Sequence, residues 1–452
     1  MKVTVAGASG FVGKNLIQIL KKNHKIIGLS RSSKKSDENI EWRETDLFSF
    51  QSTLKSLEGS DVAIYLVHSM LPSSKLFQGS FRDTDLLLAD NFAKACVHCG
   101  VKQIIYLGGL VPSHGMSEHL ESRREVEDVL KATKIPVTVF RAGMVVGEGG
   151  SSFEILRNLV KNLPFMVLPH WTQSSTQVIF IDDLVNVISS SINNNEFLNK
   201  TIDVVNGEAI NYEQLIKKTS SYFNKGLVTV HVPINYTSFS KLWVKLFGET
   251  DYELVSPLID SLLCDLPTPS IPKEIESIIE YRSFEEMLQK IASREEKTGK
   301  RRGSRSENTV RSIQRLSNPN HLDEDMICDE YLNWLPRYMQ SLISAQKLNH
   351  QVHFLMLGLS RPLLVLEKVD NHEPLDRVKF HIVGGILSKT NDTGWLEFRS
   401  IADGKYTLAS INEFVPSLPW YLYKYTQALA HVKVMRAFGK YLKKKKKKKG
   451  KK

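Results

Sequence analysis

Gly7, Gly10 and Gly13 stand three residues apart in "VAGASGFVGKNL", residues 5–16, directly after an apolar run and directly before helix-like spacing. Glycines at such a strand-to-helix junction suit a phosphate cradle. Gly7 permits the tight turn, Gly10 lets the backbone approach a pyrophosphate, and Gly13 lets the helix pack close to the sheet. Ser9, Phe11 and Val12 complete the turn, and the helix opening there offers free N–H groups and a partial positive charge. The expected ligand is a dinucleotide. At the end of the second strand the chain reads Ser30, Arg31, Ser32. An acid at that place would bind a ribose 2′-hydroxyl, whereas Arg31 suits a 2′-phosphate. NADP is therefore expected, with NAD as the alternative. Asp46 and Leu47, after the third strand, fall where an adenine contact is expected; a plain turn explains Asp46 equally well.

These residues need elements to hold them. Up to residue 147 the pattern alternates strand and helix: strands at 2–6, 25–31, 40–46, 61–70, 102–110 and 136–147, with helices at 14–23, 83–100 and 117–133. The run "DVAIYLVHSM" is almost wholly apolar, as in a strand buried on both faces. Asp83 reads as one helix cap and Ser117 as another. The expected fold class is α/β, a Rossmann-type doubly wound parallel sheet. Residues 148–292 are less regular and read as a small substrate lobe of the same unit, with a strand-then-helix piece at 177–192, a helix near "GEAINYEQL" and a proline-rich turn at 265–272.

Residues 293–312 are polar and basic and read as a linker. A C-terminal α+β domain follows over 313–442, then a lysine-rich tail over 443–452. The domain begins with a helix within 323–343 and ends with a long one over 419–442. Between them lie antiparallel-looking strands, in a pattern similar to the helix-grip, START-like class. An apolar ligand in that domain is one expectation; a purely structural core is the other. Trp420, Tyr421, Tyr423 and Tyr425 open the last helix, and packing on its own sheet is their expected use.

The formal charge is +11. The tail supplies +9 and Arg294–Arg315 supply +5, which leaves −3 for the rest. Such runs are expected to be solvated. No specific nucleic-acid role is expected; the basic tail suggests weak peripheral contact with an anionic membrane. Four cysteines fit a reducing compartment, and with no signal-peptide pattern a cytoplasmic location is expected. Cys96 and Cys99 lack a second pair and are expected to pack rather than bind metal. Asp182 and Asp183 read as helix caps rather than an acid/base pair.

The glycine loop, Arg31, "TDL" at 45–47, "FRAGMVVG" at 140–147 and "VIFIDDLVNVI" at 178–188 together resemble the atypical and extended short-chain dehydrogenases/reductases. The N-terminal half is most similar to the NmrA-like and complex-I-accessory-subunit-like branch. "LVHSM", "HLESR" and "GWLEF" resemble members described as NAD(P)-binding or nucleoside-diphosphate-sugar-epimerase-like, with an extra C-terminal domain of unknown function. The resemblance implies a catalytic Ser after the fifth strand and a Tyr-x-x-x-Lys on the next helix. Here Gly108 and Gly109 stand at the Ser place, and His119 and Arg123 at the Tyr and Lys spacing. Arg123 can hold ribose hydroxyls but cannot release its proton at neutral pH, whereas His119 can exchange one. The same resemblance puts His68 and Ser69 where the nicotinamide side of the cofactor passes, and Arg141 with Gly143 at a cofactor-flanking turn. Two functions follow as expectations: an NADP(H)-dependent oxidoreductase or epimerase-like enzyme with a non-standard site, or a non-catalytic redox sensor or accessory subunit.

Overall fold

The computed structural model describes residues 1–69, 74–112, 114–233, 259–266, 270–292, 307–369, 376–389 and 393–449. Met70, positions 267–269 of the proline-rich turn, 293–306 of the basic stretch and 450–452 of the tail lie outside them. The chain divides into two units: Met1–Leu71 with Leu88–Arg301, and Pro72–Leu87 with Arg302–Lys452.

The first unit is built on a seven-stranded sheet. In chain order its first elements are β1 (Lys2–Ala6), α1 (Phe11–Leu20), β2 (Lys25–Ser30), β3 (Ile40–Glu44), α2 (Phe50–Leu57) and β4 (Val62–Tyr65). After β5 (Ser74–Gln78) and α3 (Phe81–His98) come β6 (Gln103–Gly109), α4 (Glu118–Lys131), β7 (Val137–Ala142) and β8 (Met144–Val146). The sheet order is β11-β7-β6-β4-β1-β2-β3, where β11 is Thr201–Val204, and every pairing in it is parallel. All four residues of β4 are buried, as a central parallel strand requires. The chain winds outward from β1 through β2 and β3, then returns to β4 on the other side. That reversal opens a crevice at the carboxyl ends of β1 and β4, the usual place for a ligand in such sheets.

The observed elements are shorter than the sequence pattern suggests. The apolar run 61–70 gives only the four-residue β4, because after Leu66 the chain turns away at the carboxyl edge. α3 begins at Phe81, and its cap is Ser80, whose Oγ accepts from the Asp83 N–H at 3.0 Å; Asp83 lies in the first turn. Ser117 does cap α4, accepting from the Leu120 N–H. The strand expected over 136–147 is two strands, because β8 leaves the large sheet at Gly143 and pairs with β10 (Ser175–Phe180).

The region 148–292 holds α5 (Ser151–Asn162), β9 (Phe165–Pro169), α6 (Ile181–Ser190), β12 (Ala209–Asn211), α7 (Tyr212–Tyr222) and β13 (Val228–Val232). Asp183 is not a cap: the residue before α6 is Phe180, without a side-chain bond. Asp183 instead pairs with Arg282, both nearly inaccessible, and Asn206 holds the Arg282 backbone. Burial pushes the Asp183 carboxyl up, and Arg282 opposes it. Cys96 packs in the core between α3 and the sheet, and the Cys99 thiol meets the Leu54 carbonyl at 3.5 Å.

The second unit is an eight-stranded sheet in the order β15-β16-β17-β18-β19-β20-β14-β5. Its strands are β14 (Glu307–Ser317), β15 (Ile343–Leu348), β16 (Gln351–Met356), β17 (Leu364–Lys368), β18 (Arg377–Gly384), β19 (Trp395–Ile401) and β20 (Tyr406–Phe414), closed by β5. All pairs are antiparallel except β14 with β5. Two expectations change here. The basic stretch read as linker to residue 312 already enters β14 at Glu307, where Arg311 is partnered by Glu413; farther along the strand Arg315 meets Asp83. The lysine run from 443 continues the helix Gln427–Lys449 as far as Lys449; Lys443 and Lys444 are exposed, and Lys445 meets Glu330 at 2.5 Å. The long final helix is also two, Trp420–Tyr425 and Gln427–Lys449, broken at Thr426. The helix Glu324–Tyr338 and the last helix cover one sheet face. Tyr331 there meets Phe438 and Phe398 at 5.1 and 5.7 Å between ring centroids. Among the described residues no helix is long and apolar enough to cross a membrane.

Candidate functional site

Because the seven strands are parallel, every residue singled out at a strand end faces the same carboxyl edge. The glycine loop leaves β1, Arg31 follows β2, Asp46 and Leu47 follow β3, His68 and Ser69 follow β4, Gly108 and Gly109 end β6, and Gly143 follows β7.

The loop has the geometry of a cradle. Gly7 has φ +85°, and a Cβ on it would lie 3.0 Å from the Leu66 carbonyl carbon. A Cβ on Gly13 would lie 2.3 Å from the Gly7 oxygen. These positions therefore accept nothing larger than hydrogen. The Gly10 N–H closes the turn on the Gly7 carbonyl at 2.9 Å. No side chain caps α1, and its first turn carries no acid, so its leading N–H groups face the crevice without a competing carboxylate. Ser9 is exposed beside them. Phe11 turns away and packs over Gly147 and Gly150, where added Cβ atoms would touch its ring. Val12 is half-buried against the core. A pyrophosphate fits this donor set.

Arg31 is exposed one residue past β2. Asp46 sits in an Asx turn: its Oδ1 accepts from the Phe48 N–H at 3.1 Å, and its own N–H donates to Ser52 at 3.0 Å. Buried Asn91 secures that turn by donating to the carbonyls of Leu47 and Phe48. Neither α2 nor Asn91 was anticipated; the serine cap Ser49 was the available signal.

The next crevice wall comes from β4, β6 and α4. His68 and His119 stack at 5.0 Å between ring centroids, with ring planes 20° apart. The Leu66 N–H donates to the Ala6 carbonyl, so the segment carrying His68 and Ser69 runs beside the glycine loop. Arg123, 7% exposed, donates from Nη1 to the Val67 carbonyl at 3.3 Å, and Tyr106 donates to the Arg123 carbonyl at 3.0 Å. Arg123 thus braces the His68 segment. Gly109 lies against α4, where a Cβ would come 3.0 Å from Leu120.

Arg141 makes a two-point contact with Glu127 of α4, at 3.0 and 2.9 Å. Lys131 adds a contact at 2.6 Å. Burial raises the Glu127 carboxyl, but Arg141 and Lys131 outweigh it and hold it below the usual carboxylate range. Gly143 has a packing role as well, since a Cβ there would lie 2.3 Å from the Gln177 carbonyl oxygen. Glu127 carried no signal in the sequence beyond a charged helix face.

Comparison with known proteins agrees with this architecture. The auxiliary protein GraX of Staphylococcus aureus is 31% identical over 111 residues, 24% of this chain and 36% of that protein's own length. A nucleoside-diphosphate-sugar epimerase of S. aureus superposes with TM-score 0.52 at 16% identity, over 64% of this chain and 100% of its own. Triphenylmethane reductase of Citrobacter sp., in a crystal with NADP(H), superposes with TM-score 0.51 at 19% identity, over 64% and 99%. At those identities the two structures share the fold. Residues 3–205 match the model of the NAD dependent epimerase/dehydratase family, so this span of the chain is similar to that family.

Proposed function

We propose that the first unit is an NADP(H)-dependent oxidoreductase acting on a small molecule that enters beside β4 and β6. The observation that carries this reading is the convergence at one edge of the glycine cradle, Arg31 and the stacked pair His68–His119. The N–H groups leading α1 would hold the pyrophosphate, with Ser9 beside it, and Arg31 would meet the 2′-phosphate by a charge-assisted contact. Asp46 and Leu47 would flank the adenine. A bound nicotinamide supplies or accepts a hydride. His119 would exchange the matching proton with the substrate, and His68 would hold the His119 ring in place. Arg123 keeps the His68 segment fixed through the Val67 carbonyl. Arg141 would act through Glu127, fixing α4 and hence the position of His119.

A second reading is a dinucleotide-holding protein without turnover. The inward use of Arg123 favours it, because that guanidinium is spent on the protein's own backbone.

Calorimetric titration of the full chain with NADPH and NADH tests the cofactor. Arg31→Ala should weaken NADPH binding about tenfold or more, the worth of a charge-assisted contact, and leave NADH binding nearly unchanged. Equal loss for both cofactors overturns the assignment.

A further inference from the structure

One end of the second unit's sheet gathers four connections. Ile343 opens β15 opposite Met356, the last residue of β16; Leu364 opens β17 opposite Phe354; Gly384 ends β18 opposite Val365; and Phe414 ends β20. The segments beyond these ends are joined by backbone bonds. Leu357 donates to the Leu342 carbonyl at 2.9 Å, Ile386 to Pro362 at 3.0 Å and Ser417 to Leu387 at 3.0 Å. The four loops form one surface.

Large apolar side chains are exposed on three of these loops and on the helix Trp420–Tyr425 that follows the fourth. Leu357 is 79% exposed, Tyr421 68% and Tyr425 69%. Leu342, Leu359 and Ile386 project from the neighbouring loops. Their chain neighbours face inward: Tyr423 and Leu363 belong to the core. The outward set is therefore additional to what the fold needs. A contiguous exposed apolar patch marks a binding surface.

Charge selects the occupant. Arg361 and Lys389 lie on these loops and Lys424 on the helix that follows the last of them; the stretches 339–342, 357–363, 384–389 and 415–449 contain no Asp or Glu, and the rest of the β18–β19 connection holds one acid, Asp392, outside the described residues. The acid just before the last stretch, Glu413, is held by Arg311. A protein partner would be met by a rim of both signs. Leucine and tyrosine tips among cations that outnumber the acids match instead a bilayer with anionic headgroups.

We propose that this end of the sheet docks on the surface of a membrane containing anionic phospholipid. Leu357, Tyr421 and Tyr425 enter the headgroup–acyl boundary, while Arg361, Lys389 and Lys424 meet the phosphates. The lysine run is a separate feature: Lys443 lies 16 residues beyond the start of the last helix, about 24 Å along it, and Lys445 is bound to Glu330. The inference does not depend on the dinucleotide reading.

Cosedimentation of the full chain with vesicles tests it. The chain should pellet with phosphatidylcholine/phosphatidylglycerol vesicles at low salt and remain in solution with phosphatidylcholine alone. The variant Leu357→Ser/Tyr421→Ser/Tyr425→Ser should partition about tenfold more weakly or worse. Arg361→Ser/Lys424→Ser should weaken binding and flatten its salt dependence. All these side chains are exposed, so both variants should melt like the parent, which separates lost docking from lost folding. Deleting residues 443–452 should cost less than either variant. The proposal is overturned if the parent stays in solution with anionic vesicles, or if the triple variant binds as the parent does. It is also overturned if the parent is a dimer without vesicles and the triple variant a monomer, since a second copy would then cover the patch.

Discussion

His68 and His119 lie face to face at 5.0 Å, although one follows β4 and the other opens α4 after β6. They meet because β4 and β6 are adjacent and parallel, so the segments leaving their carboxyl ends share one crevice wall. The stack presents an imidazole where the family resemblance implies a phenol.

Replacing His119 by Phe keeps a ring for His68 to stack on and removes the exchangeable proton. His119→Phe should bind NADPH within about twofold of the parent yet lose roughly a hundredfold or more in the rate of nicotinamide oxidation with any substrate that turns over. The assay is single-turnover absorbance of the reduced nicotinamide. Undiminished turnover would remove His119 from the chemistry and leave water or substrate as the proton source.

Gly13→Ala tests the cradle. The added methyl would stand 2.3 Å from the Gly7 oxygen and 2.8 Å from the Ala8 Cα, both backbone atoms that cannot swing aside. A cost of about 1–3 kcal/mol in stability is expected, with loss of NADPH affinity. Gly10→Ala should be milder, because its Cβ would meet the Gly7 oxygen at 3.2 Å. Thermal melting and calorimetry on both variants read this order; equal effects would contradict it.

Glu213 sets an acid limit on the region that holds α7 and β13. Hydrogen bonds from Lys217 and His231 hold its carboxyl down to about 2, against an ordinary 4.5. A depressed carboxyl stabilises the fold fully above about pH 4.5 and loses that contribution as the pH falls toward 2. Lys217 and His231 are each 56% exposed, so about 1 kcal/mol is expected. Urea midpoints for the parent and Glu213→Gln should differ at pH 7 and converge near pH 2. A difference that does not change with pH would rule out this origin.

The alternation of strand and helix, the glycine spacing, the Ser117 cap and the place of Arg31 were all legible in the sequence, because each depends on residues within one or two turns of chain. Strand boundaries were less so. Apolar runs do not show where a strand leaves its sheet, as β4 and the β7–β8 break illustrate. Glu127 was invisible as the partner of Arg141, since a charged helix residue looks alike whether it faces water or a strand-end arginine.

The tertiary structure alone decided the remaining features. It brought His68 to His119. It placed Ser74–Gln78, from the N-terminal half, beside β14 as the edge of the second unit's sheet. It turned the basic residue Arg311 from apparent linker into a paired strand position. Periodicity and capping arise from local sterics and burial, which the sequence encodes residue by residue. Strand pairing across hundreds of residues depends on which edges are free and which charges meet once the chain has folded.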